Sequence, residues 1–227
     1  MGSGGKGEPG PVLVRSRIVF EKHPTTQEPS RPVVQRRGVQ RRRAILEAAE
    51  ELLGEQGYEA ATLKAIGERA GIPTASVYHY FADRYRVDAE LLRYHVGELD
   101  TLIGASMEAS GVSTLSAAVD AFIGLLRDYF RRHPSCTVLW FAGRHTTLDQ
   151  LVLEFDRAQA ERLWRFLVEH GLLREDTPKL ALELAFEIGS RLFDIAFRDS
   201  PDGDDTTMVE ARRAVTAYLE TYAPPAA

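Results

Sequence analysis

Cysteine is nearly missing from this chain of 227 residues, and the single Cys136 excludes an intrachain disulfide framework. Metal-ligand clusters are missing as well: His95, His133, His145 and His170 show no paired spacing, so no metal or other cofactor is expected. No apolar run reaches the roughly 18 residues a membrane helix needs, and the first residues lack the apolar centre of a secretory leader. The chain is therefore expected to be cytoplasmic, with no membrane partner. No nucleophile with its base, carboxylate pair or metal site stands at a recognisable spacing, which speaks against an enzyme. Alternating strand patterns of convincing length are absent from Val39 onward.

What is present is 44% hydrophobic residues, enough for a sizeable core, and an uneven charge distribution. Residues 1–93 carry 15 Lys and Arg against 12 Asp and Glu, while residues 94–227 carry 13 against 21. The first part is thus net +3 and the second net −8, the asymmetry expected when one end of a chain meets a polyanion. Residues 1–38, glycine-rich at the start and proline-rich at HPTTQEPSRPVVQRRG, read as a flexible arm.

From there the pattern is helical. A first helix over 39–56 carries the stripe Ile45, Leu46, Ala49, Leu52 and Leu53 and is stopped by Gly57. Thr62 caps a short helix, LKAIGERA, in which Gly67 marks close contact with a neighbouring helix, and Gly71 ends it. Pro73 pre-sets the next helix, over about 74–81, and Asp83 caps a long one over 84–109. Helices at about 115–133, 136–146, 148–170, 178–199 and 206–222 follow, separated by Pro134, Gly171, Thr177 with Pro178, and SPDGDD. The expected fold is all-α, with about nine helices. Residues 39–93 form a helix-turn-helix domain and 94–227 a second helical domain.

The stretch GIPTASVYHYF, residues 71–81, sets Tyr78, His79, Tyr80 and Phe81 in succession, so their rings point all round the helix and some must face a partner. Its Gly71, Ile72, Ser76, Val77, Tyr78, Tyr80 and Phe81 resemble the helix-turn-helix of the TetR family of transcriptional regulators. Arg84 stands in place of the family's usual Lys, and Pro73 in place of its usual Ser cap. The resemblance spans 39–93 by motif and the remainder by helix count.

That resemblance implies a homodimeric regulator bound to a palindromic DNA operator, a repressor released by a small molecule. The alternatives are a constitutive DNA-binding dimer without effector, or an activator. In the implied arrangement Thr74, Ala75 and Ser76 approach base edges, while Tyr78 and His79 meet phosphates beside Tyr80. Lys64 stands where some members place a base-reading Arg, Thr62 where they contact phosphate, and Arg84 where a Lys grips the backbone. The run with Arg41, Arg42 and Arg43 adds phosphate contacts or a minor-groove arm. In the second domain Tyr129, Trp140, Phe141, Arg144, His145 and Phe155 are candidates to bind an apolar or aromatic effector, with Arg144 as partner for an acidic group. The helix over 178–199 has no broad polar face. Its small residues Ala181, Ala185 and Gly189, with Leu192 and with Val215 and Leu219 of the last helix, are expected at a four-helix dimer interface.

Overall fold

Nine helices follow one another in the residues described by the computed structural model, 33–109, 111–141, 146–198 and 200–225. They are α1 (Val33–Gln56), α2 (Leu63–Ala70), α3 (Thr74–Tyr80), α4 (Arg84–Ala109), α5 (Leu115–Arg132), α6 (Pro134–Trp140), α7 (Thr146–Glu169), α8 (Lys179–Arg198) and α9 (Asp205–Glu220). No strand occurs among the described residues.

Two boundaries differ from the sequence expectation. Helix α1 starts by Val33, so 33–38, assigned to the arm, are helical, while the rest of the arm lies outside the described residues. Gln and Arg are good helix formers, and Gly38 contributes only its intrinsic cost of about 1 kcal/mol relative to Ala. Helix α6 begins at Pro134 instead of following it and ends at Trp140. Proline lacks the N–H that a first helical position leaves unused, so it starts this helix as readily as it ends the previous one.

Two hydrophobic clusters organise the chain. The first joins α1 to α4 through Ile45, Leu53, Ile66, Val77, Phe81 and Leu91, and takes in Leu139 of α6 and Leu148 of α7. The second gathers Leu99 and Ile103 of α4, Phe130 of α5, Phe155 and Leu163 of α7, Phe193 and Phe197 of α8, and Met208 and Leu219 of α9. Val96 and Trp140 touch both clusters, and α4 runs through both, so the two halves share a packed seam.

The turn between α2 and α3 is held by backbone chemistry. Gly71 sits at φ +66° and its N–H points back to the α2 carbonyls, while the Ile72 N–H donates to the Gly67 carbonyl at 2.9 Å. A Cβ on Gly67 would lie 2.9 Å from the Ile72 carbonyl oxygen and 3.1 Å from Val77 Cγ2, which is why glycine is needed inside α2. With Val77 and Phe81 buried beneath it, α3 is fixed in orientation.

Candidate nucleic-acid interface and ligand cavity

The anchoring of α3 decides what it shows to solvent. Ala75, Tyr78 and His79 are exposed, Thr74 and Ser76 are half-buried, and Tyr80 packs partly against the first cluster with its ring edge-on to His79 at 5.4 Å. Small groups therefore lie at the start of α3 and ring hydroxyl or imidazole donors towards its end. At the start of α2, Thr62 Oγ1 accepts from the Ala65 N–H at 3.1 Å, which leaves its hydroxyl proton for a phosphate oxygen. Lys64 extends into solvent, with Glu68 no nearer than 3.9 Å.

Arg84 departs from the expected backbone grip. Its side chain is only 17% exposed, lies over the Tyr58 ring at 3.8 Å and approaches Asp88 at 3.4 Å. Tyr58 Oη also donates to Asp88, at 3.0 Å. Burial raises the Asp88 carboxyl pKa, Arg84 opposes that rise, and the longer guanidinium reaches inward to do so. Arg86, in the same first turn and not singled out from the sequence, is exposed instead. Its signal was its position: the Asp83 cap accepts its backbone N–H at 2.9 Å, fixing it beside the end of α3.

The basic run of α1 is divided. Arg42 forms a two-pronged pair with Glu90 and lies 4.7 Å from the Phe81 ring centre, so it braces α1 against α4. Arg43 pairs with Glu47 at 2.7 Å along the helix. Arg41 is exposed.

Between this face and the second cluster lies a buried polar chain. His95 of α4, fully buried, meets Tyr129 Oη through Nδ1 at 2.9 Å and Ser135 Oγ through Nε2 at 3.4 Å. Tyr129 donates to Glu98 at 3.1 Å, so Nδ1 carries the proton that points at Tyr129. Ser135 also reaches Glu50 of α1 at 3.4 Å. Burial pushes the Glu50 carboxyl up to about 7, and burial followed by the neighbouring His133 pushes His95 down to about 3, leaving the imidazole neutral. The chain ties α1 to α4, α5 and α6.

A cavity opens among α5 to α9. The space open to water-sized spheres is about 70 Å³, several times the roughly 10–15 Å³ one water requires. Trp140 and Phe141, two of the effector-binding candidates, line it. Tyr129 does not: its hydroxyl is drawn into the polar chain. Phe155 stands behind the wall, edge-on to Trp140 at 5.3 Å. Arg144 and His145 lie outside the described residues. Sequence reasoning missed Phe122 and Leu126 of α5, Phe186 and Phe193 of α8, and the polar pair Asp156 and Ser190. The available signal was registry: Ala118, Phe122 and Leu126 recur every four residues, and Asp156 interrupts the apolar face of α7 that continues at Leu163 and Leu167.

The small-residue stripe also needs correction. Ala181, Ala185, Val215 and Leu219 are buried within the single chain, and a Cβ on Gly189 would meet Val215 Cγ2 at 3.8 Å, an ordinary van der Waals contact. The stripe lets α8 pack on the chain's own α9, and Ala185, Gly189, Val215 and Leu219 line the cavity. Of the six residues expected at the interface, Leu192 is half-buried and lies outside the cavity wall. The outward face of α8 carries larger side chains: Leu180 is 56% exposed, Leu184 43% and Ile195 42%.

The family described as bacterial regulatory proteins, tetR family, matches residues 45–86, and the tetracyclin repressor-like C-terminal domain matches residues 114–219. The HTH-type transcriptional repressor KstR2 of Rhodococcus jostii (strain RHA1) is 30% identical over 202 residues, spanning 82% of this chain and 92% of the relative. A TetR-family transcriptional regulator from Streptomyces coelicolor superposes with a TM-score of 0.55 at 27% identity, covering 80% of this chain and 99% of that one. SmeT, the repressor of the Stenotrophomonas maltophilia multidrug efflux pump SmeDEF, shares the fold at a TM-score of 0.60 and 22% identity, over 81% and 91% of the two chains.

Proposed function

Because the chain belongs to the TetR family and is a DNA-binding transcriptional regulator, we propose that it is a repressor that holds a palindromic operator as a homodimer and leaves it when a small molecule fills the cavity. The observation that carries the DNA-binding half is the anchored α3, with Val77 and Phe81 buried and Ala75, Tyr78 and His79 turned outward. In this reading Thr74, Ala75 and Ser76 enter the major groove, Tyr78, His79 and Thr62 meet phosphates, and Lys64 reaches a base edge. Arg41 and Arg86 supply further phosphate contacts, and Arg84 acts indirectly by fixing the start of α4.

The second copy docks on the outward stripe of α8, Leu180, Leu184, Ile188, Leu192 and Ile195, with Val209 of α9 beside it. Leu180, Leu184, Ile195 and Val209 are exposed, while Ile188 packs partly on the second cluster and Leu192 is half-buried, so burying the exposed members against their own symmetry mates supplies the association. The cavity supports an effector over a purely constitutive regulator: it is apolar, ring-lined and large enough for several waters. Helix α4 and the Glu50 to Tyr129 chain join the cavity region to α1, so a ligand that favours one setting of α4 changes the separation of the two α3 helices. Typical coupling of about 1–3 kcal/mol lowers operator affinity roughly 5- to 150-fold.

The test is selection from random duplexes followed by footprinting. Two protected half-sites with a centre spacing near one helical turn, about 34 Å, or a multiple of it are expected. Protection of a single asymmetric site would exclude the dimeric repressor.

A further inference from the structure

The cavity holds one charged side chain among the described residues that line it, and its setting bears on what the effector is. Asp156 of α7 faces this space, and its Oδ2 accepts from Ser190 Oγ of α8 at 3.3 Å. No hydrogen bond from a described residue reaches Oδ1, and no Lys, Arg or His lies among the described lining residues. The surrounding walls are rings and aliphatic groups, with Phe122 edge-on to Phe186 at 5.2 Å and Phe130 edge-on to Trp140 at 5.3 Å. Burial, with Glu187 adding repulsion, pushes the Asp156 carboxyl up to about 7 against the opposing Ser190 bond.

A carboxyl in such a place is costly unless something donates to it. A neutral apolar ligand would deepen its desolvation and leave Oδ1 unpaired. A carboxylate ligand would set like charges together with no cation in the described wall. A protonated amine answers both problems, since it supplies N–H donors and a compensating charge, and the faces of the surrounding rings attract cations.

We infer that the effector is a lipophilic amine, its aliphatic or aromatic body held by the ring-lined walls and its ammonium group donating to Asp156 beside the Ser190 hydroxyl. This rests on the cavity being the effector site. It replaces the acidic ligand that the sequence suggested through Arg144, which lies outside the described residues.

Three probes of one shape but different charge separate the possibilities: 4-phenylbutylamine, 4-phenylbutan-1-ol and 4-phenylbutyrate. Each is titrated into the full chain at about pH 8, above the raised Asp156 pKa of about 7, by calorimetry and by the emission of the two tryptophans, of which Trp140 lines the cavity. The amine is expected to bind about tenfold tighter than the alcohol, and the butyrate more weakly than either. Asp156→Asn, nearly isosteric and checked for retained helical circular dichroism, should erase the gap between amine and alcohol. If the alcohol binds and the amine is no tighter, or if the gap survives in Asp156→Asn, the amine inference is overturned and the cavity reading stands. If none of the three gives heat or changes the tryptophan emission, both fall. The wild-type comparison decides the matter even if the variant fails to fold.

Discussion

The face around α3 and the cavity among α5 to α9 are built to opposite rules. The first turns small side chains, hydroxyls and cations towards solvent over an apolar anchor: Thr62 is a cap with a spare proton, Lys64 is extended, and Tyr78 and His79 stand over buried Val77. The second turns rings inward and, among its described lining residues, keeps a single carboxyl, Asp156, against them. A duplex offers every regulator the same phosphate spacing and groove width, so the face that meets it repeats a recognisable residue pattern. A small ligand imposes no common geometry, and the cavity's chemistry is written in single residues with no spacing rule.

Changes that exchange inward and outward roles break this contrast most sharply. Leu184→Glu places a charge on the outward stripe of α8, where it is expected to yield monomers in light scattering and to weaken operator binding by two orders of magnitude or more, because one half-site alone remains. Ala185→Leu, one residue along but facing inward, should leave the dimer intact and shrink the cavity. A dimeric Leu184→Glu protein would move the interface elsewhere.

Arg84→Ala tests whether that cation belongs to the DNA or to the core. Removing it strands the Asp88 carboxyl, which is 1% exposed, and loss of a buried partner costs about 3 kcal/mol in urea unfolding at neutral pH. Since Asp88 already has a raised pKa, the loss should shrink in acid, where the carboxyl is neutral. A change below about 0.5 kcal/mol would return Arg84 to the surface role that the family motif suggested.

Asp156 sharpens the other side of the comparison. Its folded pKa of about 7 stands above the ordinary 3.8, so the stability it contributes is fully present below the ordinary value and is lost as pH rises through about 7. Asp156→Asn removes this dependence. Its stability relative to wild type should climb by about 2 kcal/mol between acid and alkaline conditions, allowing for partial solvent contact, and thermal unfolding from about pH 4 to 8 reads the trend directly. A flat difference would mean that the carboxyl is solvated.

The smallest expected effect is at Lys64. Lys64→Ala should cost about 1 kcal/mol on the selected operator and much less on random duplex, a narrowing visible in parallel anisotropy titrations. Equal losses on both would make it a phosphate contact.

How far the sequence could be read follows the same division. The extents of α2 and α4, the Thr62 and Asp83 caps, the crowding at Gly67 and the inward turn of Val77 and Phe81 all follow from local rules, because caps and tight turns are made by neighbours in the chain. Three features needed the tertiary structure. Arg84 turned inward because Tyr58 and Asp88, distant and near in sequence, converge beneath it. The stripe Ala181, Ala185 and Gly189 left open whose helix it meets, and in the single chain Gly189 faces Val215 of α9. Tyr129 falls among the rings by sequence, yet a buried hydroxyl must find a partner, and His95 and Glu98 supply it.

The central claim, that the outward side chains of α2 to α4 hold a DNA backbone, is tested most directly by operator affinity across salt concentration. For about four neutralised phosphates per site, affinity should fall roughly 100-fold between about 50 and 200 mM salt, and removing Arg41 and Arg86 together should flatten that slope. An affinity that hardly changes with salt, or a slope untouched by the double substitution, would contradict it.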